Sequence, residues 1–154
     1  MKSIIAHLMR PQDESVPRVN IYLLRLVYAL MFFVLGKDVW THIFSHQGEW
    51  DSYEAVAWSV WAAFASLAFF GVLHPVRMIP ILCLEVFYKL LWLGLVAFPL
   101  WKRGALAGSS VEGMTYAFLW VLLPIIAIPW SYVVRTYLLG KKPNVLRAEL
   151  AASL

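Results

Sequence analysis

Glu85 and Lys89 stand near the middle of Met78–Leu100, a stretch otherwise apolar enough to cross a membrane. An ionisable residue at the centre of a bilayer helix costs about 2.5 to 3.5 kcal/mol on insertion scales, so two of them demand a purpose. They are four residues apart with Glu first, the order and spacing that let a helix pair them on one face. Tyr88 and Trp92 continue that face, making a polar and aromatic stripe expected to look into a helical bundle. Arg25 lies a few residues into the first apolar run, at a similar depth. A triad of Arg25, Glu85 and Lys89 would leave one uncompensated positive charge. It could hold an anionic headgroup, a carboxylate substrate or a quinone carbonyl, or relay protons. The plainer alternative is a self-neutralised pair that fixes helix register.

A second set of chemical groups is Asp38, His42 and His46, followed by Glu49. On a helix reaching His46, the first three would stack along one face at the outer rim. Two imidazoles and a carboxylate are adequate ligands for zinc, copper or iron, and a histidine could serve as an axial haem ligand. Solvated rim histidines are the competing reading, and no catalytic zinc motif is present. Glu54 heads a stripe with Trp58, Trp61 and Ala65 and could join Asp38 and His42 across the rim; a helix cap followed by packing residues explains it as well. Pro124 and Pro129 each remove a helical hydrogen bond, freeing the carbonyls of Trp120 and Ile125 to bind a cation or simply to bend a helix. No nucleophile elbow, phosphate loop, dinucleotide fingerprint or paired CxxC occurs, which argues against the familiar soluble enzyme classes.

The elements that must position these groups are membrane helices. Of 154 residues, 62% are apolar and only 14% charged, well under the quarter usual in a soluble domain. Four spans are predicted, at about 20–43, 52–73, 78–100 and 114–139, within a bundle over 20–139. Residues 1–19 read as an interfacial segment whose apolar patch (Ile4, Ile5, Leu8, Met9) stops at Pro11, and residues 140–154 as a basic tail. The first apolar run is too long for a secretory signal and lacks a small-residue cleavage site. Trp40, Trp50, Trp101 and Trp130 fall near span ends, as an interfacial belt would place them, while Trp58, Trp61, Trp92 and Trp120 are expected between helices. Small residues Ala62, Ala65 and Ser66 would let a neighbouring helix approach closely.

Helix ends are legible too. Asp51 with Glu54, and Ser109 with Glu112, have the form of capping boxes; His74-Pro75 marks a tight turn; Gly140 with Pro143 marks a stop. Lys2, Arg10, Arg18, Arg77, Lys141, Lys142 and Arg147 fall on one side, against Lys102 and Arg103 on the other. That asymmetry puts both termini in the cytoplasm and explains the net charge of +4 without nucleic acid. The single Cys83 allows no disulfide within one chain.

With these residues in view, the chain resembles a family of small, largely uncharacterised bacterial four-span membrane proteins. The likeness rests on Leu35-Gly36-Lys37-Asp38-Val39-Trp40, Trp50-Asp51, Trp61-Ala62-Ala63, Glu85 through Lys89 to Trp92, Pro99-Leu100-Trp101 and Ile128-Pro129-Trp130-Ser131-Tyr132. It covers nearly all the spans and implies the bacterial inner membrane, but no established activity. A fainter likeness to DoxX-type proteins rests on size and architecture and keeps a redox accessory role open.

The expectation is an all-α, antiparallel four-helix transmembrane bundle that is not an enzyme. It would act as a membrane-embedded binding protein or accessory subunit, with the lipid bilayer and either its own copies or a larger complex as partners. Competing expectations are a redox or metal-dependent enzyme subunit with ligands at the outer rim, and a small oligomeric proton-coupled transporter relying on Glu85.

Overall fold

A computed structural model describes residues 16–139, whose only regular secondary structure is helix, with no strand among them. Helix α1 runs Arg18–Ser45, α2 Ser52–Leu73 and α3 Ile79–Lys102, and each is long and apolar enough to cross a membrane. Even the shortest of them, 22 residues, is about 33 Å long, against about 30 Å of hydrocarbon. A further pair, α4 (Glu112–Ala127) and α5 (Trp130–Leu138), meets at 71° and makes a fourth candidate if counted as one broken span. The expected interfacial segment and basic tail lie outside the described residues, apart from the last few positions before α1.

The elements follow from local chemistry. Asp51 caps α2, its Oδ1 accepting the backbone N–H groups of Tyr53 and Glu54 at 2.9 and 3.0 Å. Only half of the expected capping box forms there, because the Glu54 carboxylate turns to Trp58 instead of back to the cap. The second expected box is rearranged. The Glu112 carboxylate takes the Gly108 N–H at 2.7 Å, while Ser109 Oγ donates to Leu106 O. Pro80 sits in the first turn of α3, where a missing N–H costs nothing.

The bend between α4 and α5 has a clear cause. Pro129 has no N–H to offer the carbonyl four residues earlier, and it pushes Ile128 into an extended conformation (φ −68°, ψ 124°). The predicted single span over 114–139 is therefore two helices at an angle. Both carbonyls freed by proline find partners: Trp120 O accepts the Leu123 N–H at 3.0 Å, and Ile125 O accepts the Trp130 indole N–H at 2.8 Å. A third exposed by the break, Ala127 O, accepts Asn20 Nδ2 of α1 at 3.1 Å. These bonds satisfy each freed carbonyl once and tie the bent segment to its own turns and to α1.

Helices α1 and α2 pack along their length. Tyr28 meets Gly71, Gly36 lies beside Ala65, and His42 meets Glu54 and Trp58, so numbers rise on one helix as they fall on the other. Tyr28 is wholly buried and its hydroxyl donates to Pro75 O in the α2–α3 turn. Gly71 is needed there because any Cβ would collide with the Tyr28 ring. The first half of α1 also packs on the second half of α4, which in turn touches α3. Leu24, Tyr28, Ile79, Leu82 and Val121 form the centre of the interior.

Outward faces carry large apolar side chains, among them Phe33, Phe44, Phe87, Leu95 and Ile126. Water would penalise such a surface, whereas lipid accepts it. Trp120, expected between helices, is 67% exposed. It sits at the tightened turn between the two halves of α4, which rotates it away from the core.

Candidate functional site

Helix α3 carries the central pair, and the i, i+4 geometry is realised: Lys89 Nζ donates to Glu85 Oε1 at 2.6 Å. Glu85 is 4% exposed and, among the described residues, one of two polar residues in the buried interior, with Thr115 the other. Thr115 is self-sufficient, its hydroxyl donating to Val111 O at 2.9 Å. Glu85 is not. Its second oxygen, Oε2, is buried and has no hydrogen-bond partner. An unserved buried acceptor costs about 1–3 kcal/mol, more for a charged group.

Rings close around the pair from three helices. Phe118 of α4 lies 4.9 Å from Trp92 and 5.6 Å from Tyr88, edge to face in both cases, and the Lys89 ammonium stands 5.8 Å over its ring. Trp61 of α2 reaches the same Phe118 edge-on at 6.5 Å, and Phe64 stacks on Tyr88 at 5.6 Å. The ammonium is therefore held by a carboxylate on one side and by a ring face on another, a combination that is strong where water is scarce. Phe118 is a hub with no mark in the sequence, since it is one phenylalanine among nine. The stripe of Tyr88, Lys89 and Trp92 is where the helical spacing puts it. Just beyond Trp92, α3 widens into a π-helical turn over Leu93–Ala97, which packs against the start of α4.

Arg25 is half-buried on α1. Among the described residues, two acid–base contacts lie within 4.0 Å: the Lys89–Glu85 ion pair and the approach of His42 to Glu54. Arg25 thus does not supply the missing partner of Glu85 Oε2.

At the rim, α1 ends at Ser45 and His46 is extended (φ −64°, ψ 135°), so the helical stacking of Asp38, His42 and His46 does not continue to the third residue. The turn that follows uses Gly48 at φ +99°, a conformation natural to glycine. Each histidine instead lies flat on a tryptophan. His42 stacks on Trp58 at 3.7 Å and 13°, and His46 on Trp50 at 3.6 Å and 18°. Glu54 Oε1 accepts the Trp58 indole N–H at 3.2 Å and stands 3.6 Å from His42 Nε2. Asp38 is exposed, one helical turn before His42. Among the described residues, no three of His, Cys, Asp or Glu come together in a group that could hold a metal ion.

No family model, curated protein or solved structure matches this chain. The likeness to small four-span bacterial proteins accordingly rests on its short motifs alone. Fold and site together describe a helical membrane protein with a half-satisfied ion pair inside an aromatic wall.

Proposed function

We propose that the protein is a non-enzymatic, membrane-embedded binding protein or accessory subunit whose working site is the Glu85–Lys89 pair. In this reading it forms an antiparallel four-helix bundle in the bacterial inner membrane, with both termini cytoplasmic. The opposed pairing of α1 with α2 supports the antiparallel arrangement, and the skewed distribution of Lys and Arg supports the orientation.

The observation that carries the reading is the unpartnered Glu85 Oε2. A pair serving only to fix helix register has no reason to leave a buried acceptor unserved, because fully satisfied polar networks are the stable ones. Lys89 has two further N–H groups beyond the one it gives Oε1. The site therefore presents a spare acceptor and spare donors side by side, facing aromatic carbon.

The test is gentle extraction followed by mass analysis of everything that leaves the membrane with the protein. The double variant E85Q/K89M removes both charges at similar volume and is expected to insert and fold normally. It should lose the lipophilic molecule or subunit that the unaltered protein retains. A double variant that keeps the same companions in the same amounts overturns the proposal.

A further inference from the structure

Resting on that binding reading, we infer that the Glu85–Lys89 site takes an apolar molecule headed by a phenolic hydroxyl. Three observations define the head. Glu85 Oε2 needs a donor, since it is buried and unpartnered. Lys89 Nζ, committed to Oε1 by one bond of 2.6 Å, has two further N–H groups to offer. The two groups are neighbours on one helix face, so one hydroxyl can answer both, giving its hydrogen to Oε2 and taking an N–H from Nζ on its lone pair. A carbonyl or a phosphodiester offers lone pairs only and would leave Oε2 as it is. A carboxylate would add repulsion against Glu85. An ammonium would satisfy Oε2 but face Lys89 as a like charge.

The surroundings define the body. Tyr88, Trp92 and Phe118 wall the pair with rings in edge-to-face contact, an arrangement that readily accepts one more ring. Glu85 is closed off, whereas the Lys89 side chain retains 13% of its exposure, so the approach is from the Lys89 side. Beside Lys89 on α3, Leu90 is exposed, apolar surface suited to a hydrocarbon tail. A phenol is also a stronger hydrogen-bond donor than an aliphatic alcohol, which suits an ionised acceptor.

The experiment measures saturable, displaceable binding of radiolabelled 4-decylphenol to the full chain in lipid nanodiscs. Two competitors accompany it: the methyl ether of the same compound, and a straight-chain alcohol of equal length. The phenol should displace label at stoichiometric occupancy. The ether, which can accept from Lys89 but cannot donate to Glu85, should be at least tenfold weaker, and the alcohol weaker than the phenol. In E85Q the advantage of phenol over ether should shrink severalfold. Equal displacement by phenol and ether on the unaltered protein overturns the inference without requiring any variant to fold. So does an infrared carboxylic-acid stretch, in the unliganded protein, that disappears in E85Q, because a proton would then already occupy the carboxyl. Absence of phenol binding, with native companions still lost in E85Q/K89M, rejects the phenolic ligand and leaves the binding role standing; if those companions are also retained, both fall.

Discussion

Glu85–Lys89 and His42–Glu54 are both acid–base pairs, yet the molecule treats them in opposite ways. The first lies on one helix, is only 13% and 5% exposed at its Lys89 and Glu85 side chains and is bonded at 2.6 Å. The second joins two helices, is 37% and 48% exposed at its side chains and stands at 3.6 Å. Around the deep pair, rings enclose a charge that must find its partners inside the protein. Around the rim pair, tryptophans hold each imidazole flat while solvent remains available to Glu54. Depth sets the difference. A charge that water cannot reach must be answered by the fold, so an omission such as the free Oε2 carries meaning. At the rim water can reach the Glu54 carboxylate, although His42 Nε2 and His46 Nε2 are buried under their tryptophans without a hydrogen-bond partner.

The comparison is most directly broken by single substitutions in the deep pair. E85Q or K89M alone leaves one buried charge uncompensated and should cost about 3–5 kcal/mol, read as loss of thermal stability in mild detergent, whereas E85Q/K89M together should cost far less. If both singles and the double behave alike, the deep site is as solvated as the rim. Next in size is Gly71→Ala. Its methyl group must displace Tyr28 and with it the bond to Pro75 O, for a loss of about 1–3 kcal/mol by denaturant unfolding. At the rim, Asp51→Ala removes two bonds to the start of α2 and should cost about 1 kcal/mol, with amide exchange rising first at Tyr53 and Glu54. The smallest effect belongs to Glu54→Gln, expected to change stability by less than about 1 kcal/mol at neutral pH. A loss from Glu54→Gln as large as that from E85Q would erase the contrast between the two pairs.

Much of the architecture is legible in the chain because it depends on neighbours in sequence. Apolar runs of sufficient length mark α1, α2 and α3 to within two residues at each end, and Asp51 announces the start of α2. The break at Ile128 follows from Pro129 beside it, although sequence reading treats the two prolines as bends in one span and does not anticipate an angle of 71°. The bond from Asn20 to Ala127 O escapes such a reading altogether, since 107 residues separate them and an asparagine at a helix start has many ordinary uses.

The site divides along the same line. That Glu85 and Lys89 pair, with Tyr88 and Trp92 on their face, was determined by the sequence alone, because helical periodicity and the exclusion of water from an apolar run are local properties. That Phe118 would become the hub of the aromatic wall, that Trp61 would reach it, and that Arg25 would leave Glu85 Oε2 unserved was decided only by the tertiary structure. Those outcomes depend on how each helix is rotated about its axis and how far it slides along its neighbours. Rotation and slide are set by the sum of many weak contacts, such as Tyr28 seated against Gly71, and no short stretch of residues encodes that sum.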